Sequence, residues 1–356
     1  MKYTVQIKTP NEIIENEFSE LLLSTSTNLL YSSLPYLKLL QYFLNCEVII
    51  ITVLKDKSIV GCFPLAFKNN LKHGCVCNSL PFYGSNGGMI VSESVTDKNE
   101  VRTILKQEFE KIVQHKSCVA YTIISNPLDV ETDNWLRNNV SHDQIDERIG
   151  QITHFPKGIV DIENDLMKSF EDPRPRNIRK AIKEGVNIYA TNDQDAIDFL
   201  YKVHYDNIKA INGIPKEKKF FDLIPKFFNN TEYKIYIAEY KGERVGALLL
   251  FYFNKTVEYF TPAVIESHRN LQPTSLIIYK AMIEAIKDGY ENWNWGGTWL
   301  TQGGVYDFKK KWGTTDHHYF YYTKIYKEDL YTSSKEFLLQ EYPYFFVLPF
   351  SSLKQS

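Results

Sequence analysis

Two short stretches, read against each other, decide the fold: Val53-Leu54-Lys55-Asp56-Lys57-Ser58-Ile59-Val60-Gly61 and Ala238-Glu239-Tyr240-Lys241-Gly242-Glu243-Arg244-Val245-Gly246. In each, apolar and β-branched residues lead into a tight polar turn and resume after it, as an antiparallel hairpin requires. The turns are Lys55-Asp56-Lys57-Ser58 and Tyr240-Lys241-Gly242-Glu243. At an offset of 185 residues, Tyr36–Leu65 lies on Phe221–Leu250 without a gap. Phe43 then falls on Phe228, Asn45 on Asn230, Glu47 on Glu232, Ile50 on Ile235, Val60-Gly61 on Val245-Gly246 and Leu65 on Leu250. The shared pattern is stronger than the identity: an aromatic-rich helix, a strand, a turn and a second strand. A repeat on this scale predicts two domains of one kind in tandem.

Reading outward from the second hairpin, strands Lys234–Tyr240 and Arg244–Phe253 are followed by a third, Thr256–Thr261. A helix is expected over Thr274–Asp288, stopped by Gly289, and then a strand at Trp293-Asn294-Trp295. Around the first hairpin, strands are expected at Val48–Leu54, Ile59–Phe67, Cys75–Leu80, Gly88–Val91 and Ala120–Ile124, with a helix over Val101–His115. Meanders joined to a further strand by a crossover helix make an α/β fold. The expected boundaries are 1–160 for one domain, 161–330 for the other, and 331–356 for an aromatic tail packed on the body.

Composition limits the function. The chain of 356 residues is 44% hydrophobic and 24% charged, which excludes a disordered polymer. With 41 basic and 43 acidic residues its net charge is −2, so it is not built around one large nucleic-acid surface. No apolar run reaches the ~18 residues of a membrane helix, and the first eight residues carry no apolar signal core. A cytoplasmic location is the expectation. Cys46, Cys62, Cys75, Cys77 and Cys118 read as reduced thiols. Only Cys75 and Cys77 are close, with His73 as their one neighbour of ligating type, so no metal is expected.

Three segments can carry chemistry. Pro173-Arg174-Pro175-Arg176 opens a helix that Gly185 ends, with Arg176, Arg179, Lys180 and Lys183 on one face. Such a face suits phosphate oxygens, and is also what a solvated helix face looks like. Leu80-Pro81-Phe82-Tyr83-Gly84-Ser85-Asn86-Gly87-Gly88 is a loop able to bring backbone N–H groups to a ligand, or a plain connection. The third runs Asn294-Trp295-Gly296-Gly297-Thr298 and Gln302-Gly303-Gly304-Val305-Tyr306-Asp307-Phe308-Lys309. Two glycine pairs flank a polar loop leaving a strand, where α/β proteins place ligands. Glu258, on the third strand of the second meander, is a candidate base or a solvated carboxylate. His204, His268, His317 and His318 have no nucleophile or metal partner at recognisable spacing.

These segments resemble the FemABX-like aminoacyltransferases, relatives of the GNAT acyltransferases built from two GNAT-like domains in tandem. The match runs from Gly296-Gly297 to Gly304-Val305-Tyr306-Asp307-Phe308-Lys309, and the Arg176–Gly185 helix and Ser33-Leu34-Pro35-Tyr36-Leu37-Lys38 resemble further family segments. The resemblance implies transfer of an acyl or aminoacyl group onto an amine of a cell-envelope precursor, a muropeptide or an amino sugar of a surface polysaccharide. It implies aminoacyl-tRNA or acyl-CoA as donor cosubstrate, no bound cofactor, and a nucleotide- or lipid-linked glycan precursor and tRNA as partners. Lys309 is then at the reaction centre beside Phe308, with Asp307 and Glu258 as candidate bases. Lys38, Arg176 and Arg179 are candidates to hold substrate phosphate, and Lys216 is the candidate substrate-binding residue that stands in for an Arg the family carries before the aromatic helix of its second domain. Tyr83, Gly84, Ser85, Asn86, Trp295, Gly296, Gly297, Thr298 and Tyr306 are candidate substrate contacts. The chain departs from simple GNAT acetyltransferases at Arg269-Asn270-Leu271-Gln272-Pro273-Thr274-Ser275, which lacks the glycines that cradle the CoA pyrophosphate. That departure counts against an acyl-CoA enzyme of an amino-sugar nucleotide, and the retained Phe308-Lys309 with the double Gly-Gly loop counts against a non-catalytic module that binds nucleotide sugar or tRNA.

Overall fold

The computed structural model describes residues 3–82, 84, 86–158 and 160–349. In chain order its first elements are β1 (Thr4–Lys8), α1 (Glu15–Leu23), α2 (Leu34–Leu44), β2 (Glu47–Lys55), β3 (Ser58–Asn70), β4 (Gly74–Ser79), β5 (Ile90–Val91), α3 (Lys98–His115), β6 (Cys118–Ile124) and α4 (Val130–Asn139). β7 (Gln144–His154), α5 (Ile162–Ser169), α6 (Arg174–Glu184), β8 (Asn187–Thr191), α7 (Gln194–Ala210), α8 (Lys218–Phe227), β9 (Tyr233–Tyr240), β10 (Glu243–Phe253) and β11 (Thr256–Val264) follow. The chain ends with α9 (Pro273–Lys287), β12 (Asn292–Trp299), α10 (Gly303–Lys310), β13 (Thr315–Ile325) and α11 (Lys335–Glu341).

Two compact units result, residues 1–148 with 318–356, and residues 149–317. The sequence analysis placed its boundaries at 160 and 330 instead. The difference lies in long-range pairing: Tyr321–Ile325 of β13 pair antiparallel with Ala120–Ile124 of β6, far back in the chain. The last residues belong to the first unit for a similar reason. Asn78 donates from Nδ2 to Phe346 O (2.8 Å) and accepts from Phe346 N (2.7 Å), and Tyr342 is fully buried.

Within the first unit the strands run β1-β2-β3-β4-β6, with β5 on β3. In the second they run β8-β9-β10-β11-β12. The repeat seen in sequence is a repeat of structure. Moved by 185 residues, α2, β2 and β3 fall on α8, β9 and β10 to within two residues at each end. The shared Val-Gly pair has a structural cause. Between β2 and β3 the register skips Val60, and between β9 and β10 it skips Val245. Both hairpins therefore carry a β-bulge at the same place, which increases their twist. Gly61 is required there for room, because a Cβ would lie 2.5 Å from Val101 Cγ1.

Each unit buries one sheet face under its crossover helix. Val101, Leu105, Phe109 and Val113 of α3 pack on Phe63, Leu65, Cys77 and Tyr121. Leu276, Ile277 and Met282 of α9 pack on Leu248, Leu250, Val257 and Trp293. The five cysteines are free thiols, and all but Cys46 are buried. No helix among the described residues is long and apolar enough to cross a membrane.

Candidate active site

Parallel strands flanking a crossover helix differ between the units. In the first, β4 and β6 pair from Cys75/Cys118 through to Ser79/Ile123. In the second, β11 and β12 pair only at Thr256/Asn292, Val257/Trp293 and Glu258/Asn294, then run on to Val264 and Trp299 beyond their last paired residues. A bulge at Phe260, where Leu249 and Leu250 face Thr261 and Tyr259, lies at the same point of β11. Strands that part in this way leave a fork, and a cleft of about 420 Å³ lies there. Its size is that of a small-molecule site. Tyr259, Pro262, Ala263 and Val264 of β11 line it, with Asn207, Thr274, Gly304, Val305, Phe308 and Lys309.

Lys309 reaches this cleft from α10 and is buried. Its ammonium donates to Gly296 O (3.1 Å), Gly297 O (3.1 Å) and Thr298 Oγ1 (2.8 Å). Three N–H groups thus meet three acceptors. Thr298 Oγ1 donates in turn to Gln151 Oε1 (3.1 Å), and Gln151 Nε2 donates to Tyr306 O (3.2 Å). The Gly-Gly pair of the motif is explained by this geometry. Gly296 has a φ of +72°, which turns the two carbonyls onto Lys309 at a cost most side chains would not tolerate. Burial pushes the Lys309 ammonium down to about 8, so it stays mostly charged at neutral pH.

Phe308 sits beside Lys309 in an aromatic box. Trp295 lies 4.9 Å from Tyr259, 6.2 Å from Phe308 and 5.6 Å from Trp312, centroid to centroid. Its Nε1 donates to Thr153 Oγ1 (2.9 Å). Arg174 closes the box: it is buried, its guanidinium carbon stands 4.3 Å over the Phe308 ring, and Nη2 donates to Phe308 O (3.0 Å). Neither Arg174 nor Tyr259 is among the candidate site residues read from the sequence. Nothing local reveals either role, since Arg174 bonds to a carbonyl 134 residues away. Burial keeps the Tyr259 hydroxyl protonated well above the usual tyrosine range.

Other expected site residues lie elsewhere. Glu258 is buried at the last paired position of the fork and accepts from Asn294 Nδ2 (2.9 Å), but it is not part of the cleft wall. Asp307 is exposed on α10, and the Tyr306 hydroxyl donates to Asp316 Oδ2 (2.6 Å). Arg176 and Arg179 are exposed on α6. Lys216 is half-buried over the Phe260 ring (5.4 Å), and burial lowers its ammonium to about 8. Its backbone N–H donates to His204 Nε2 (3.2 Å), and burial drives that imidazole down to about 4. Lys38 is half-buried on α2 in the first unit. The same unit holds the glycine-rich loop, in which Gly84 is exposed and Asn86 buried. Gly87 of that loop serves packing, since a Cβ there would lie 2.5 Å from Ser79 O. Tyr83 and Ser85 lie outside the described residues.

The comparisons bear on the fold. Residues 174–310 match the family model of the acetyltransferase (GNAT) domain, a segment that contains the fork, α9 and Lys309. The crystal structure of FemX superposes with a TM-score of 0.74 at 16% identity, over 93% of this chain and 99% of that one. A tandem GNAT protein from the clavulanic acid biosynthesis pathway gives 0.53 at 10% identity, over 91% and 99%. L-PGS from Bacillus licheniformis gives 0.50 at 11% identity, over 81% and 86%. No curated protein matches at the level of sequence. The chain therefore has the FemABX-like tandem GNAT fold, and its residues 174–310 form a GNAT domain.

Proposed function

We propose that the cleft of the second unit transfers an acyl or aminoacyl group from an activated ester or thioester to an amine of a cell-envelope precursor, in the cytoplasm. The observation that carries this reading is the fork. Past Glu258 and Asn294, β11 and β12 run on unpaired with each other, and the cleft against the freed part of β11 has Lys309 in its wall. Attack of an amine on a carbonyl carbon forms the C–N bond and places negative charge on the carbonyl oxygen. Backbone N–H groups of an unpaired strand and a buried cation stabilise that charge, each such donor contributing about 3 kcal/mol. Lys309 has no spare N–H, so its charge acts through the short-range field and by fixing the Gly296–Thr298 turn.

The bond to the leaving oxygen or sulfur then breaks, and that atom takes a proton. Tyr259 lines the cleft and remains protonated, so it is the group suited to give it. The amine loses its proton to water, because neither Glu258 nor Asp307 is in the cleft wall. FemX and L-PGS, which share the fold, support aminoacyl or acyl transfer in envelope synthesis, and aminoacyl-tRNA as the donor follows from the sequence resemblance alone. The GNAT domain match supports acyl-CoA as the second reading, with the glycine-free turn before α9 against it.

A thermal-shift screen against acyl-CoAs, nucleotide-linked amino sugars and a muropeptide precursor tests this. A ligand at a hundred times its Kd adds about 2.7 kcal/mol. A shift with the nucleotide-linked sugar or muropeptide supports the envelope acceptor, and a further shift with CoA selects the thioester donor. Indifference to every one of them contradicts the reading.

A further inference from the structure

We propose that His154 and His317, in the second unit, form a binding site for a divalent transition metal ion of the zinc class. The inference goes beyond the transferase reading and uses none of the cleft residues.

The two imidazoles converge from different strands. His154 is the last residue of β7, and His317 lies near the start of β13. Thr315 Oγ1 donates to Ile152 O (3.2 Å), which holds the start of β13 beside the end of β7. His154 Nε2 and His317 Nε2 stand 3.3 Å apart, with their rings inclined at 70°. Two nitrogens bound to one tetrahedral zinc at about 2.0 to 2.1 Å lie about 3.3 to 3.4 Å from each other. The pair already has the spacing that such an ion imposes, so its entry asks for rotation of the rings and not for movement of the strands.

Hydrogen bonds around the pair aim a lone pair at the site. Asn292 Oδ1 lies 2.7 Å from His154 Nδ1 and can only accept. The proton of a neutral His154 is therefore on Nδ1, and its Nε2 presents a lone pair. An imidazole whose other nitrogen donates to a fixed oxygen is the arrangement that orients metal-ligating histidines. Thr315 gives its one hydroxyl hydrogen to Ile152 O, so it accepts from His317 Nε2 (3.0 Å). Without metal, the His317 Nε2 hydrogen is shared between Thr315 Oγ1 and His154 Nε2. With metal, that proton moves through solvent to Nδ1 of His317, both Nε2 atoms face the ion, and neither ring changes charge.

The site is open. His154 is exposed and His317 half-buried, so an ion arrives from solvent without opening the fold. Among the described residues no group of three or more His, Cys, Asp or Glu is placed to hold a metal. Water then completes the coordination, and the ion is exchangeable and held less tightly than in a closed four-ligand site. Imidazole ligands suit zinc, copper and nickel, whereas magnesium and calcium take oxygen. The pair is invisible to motif spacing because its members are 163 residues apart.

Calorimetric titration of the full chain with zinc chloride tests the site. The wild type is expected to bind zinc, and His154→Ala and His317→Ala should each lower the affinity at least tenfold. Asn292→Leu keeps both ligands but frees the His154 tautomer, and should lower it about tenfold. His268→Ala, in the same unit, should leave it unchanged. Zinc should raise the melting temperature of the wild type, since it binds the native state alone, and should not raise that of His154→Ala. Melting temperatures without zinc within two degrees of wild type establish that the variants are folded. Zinc should also shift the imidazole nitrogen resonances of both histidines in the wild type, a readout that needs no variant. Absence of zinc binding overturns the proposal. So do unshifted resonances, binding that survives both histidine substitutions, or binding lost in Cys75→Ser instead, which would assign the ion to the thiols.

Discussion

Replacing Lys309 by methionine removes a buried cation while keeping a long unbranched side chain in its place. The ammonium titrates near 8 in the folded chain and near 10.5 when free. Below pH 8 it is charged in both states, and stability does not depend on it. Between pH 8 and 10.5 the unfolded chain binds a proton that the native chain has released. Stability therefore rises with pH across that window, by at most about 1.4 kcal/mol per pH unit, and by about 3 kcal/mol in all. Above 10.5 it is level again. The Lys309→Met variant has no such dependence. Urea denaturation of both proteins at half-unit steps from pH 7 to 10 measures the difference directly. Every other titrating group, Lys216 included, is common to the two proteins and cancels. The wild type should gain on Lys309→Met from about pH 8 upward. Parallel stability curves, or a gain as the pH falls, would refute the burial of a charged Lys309 on which the site's electrostatics rest.

Further outcomes follow from the same geometry. His204 remains neutral in the native state down to about pH 4, whereas the unfolded residue takes a proton near 6.5. The wild type should thus lose up to about 3 kcal/mol relative to His204→Gln as pH falls from 6.5 to 4, by urea denaturation. Thr298→Val leaves Lys309 Nζ and Gln151 Oε1 each one partner short, and should cost about 2 to 3 kcal/mol in the same assay. Gly61→Ala drives a methyl into Val101 and should cost about 1 to 3 kcal/mol, seen as a lower urea midpoint at unchanged slope.

The hairpins were legible because their signals are local. Turn residues between β-branched runs specify a hairpin without reference to the rest of the chain, and the matched Val-Gly pairs, read only as a repeat, prove to sit at a shared bulge. The C-terminal half of β13 was not assignable, because its place depends on β6, about 200 residues earlier. In the site, Gly296-Gly297 and Phe308-Lys309 stood out as a motif, and the structure joins them through one ammonium. The fork was not legible. Nothing in Tyr259–Val264 or Trp295–Trp299 announces that two strands stop pairing, since parting depends on how both pack elsewhere. Arg174 was missed for a related reason: it stands at the opening of a basic helix, and only tertiary structure shows it turned inward over Phe308 while Arg176 and Arg179 stay in water. Asp307 shows the reverse error, a motif residue whose side chain lies outside the cleft.

The central claim is that transfer takes place in the fork beside Lys309. Its most direct test is mass spectrometry of an amine-bearing muropeptide or nucleotide-linked amino sugar incubated with the protein and either aminoacyl-tRNA or acyl-CoA. The account predicts an acyl or aminoacyl mass increment on the acceptor amine with wild type. With Lys309→Met, folded as judged by its urea transition, the rate should fall at least a hundredfold, the size of one lost charge-stabilising group. Transfer by that variant at the wild-type rate would contradict the account.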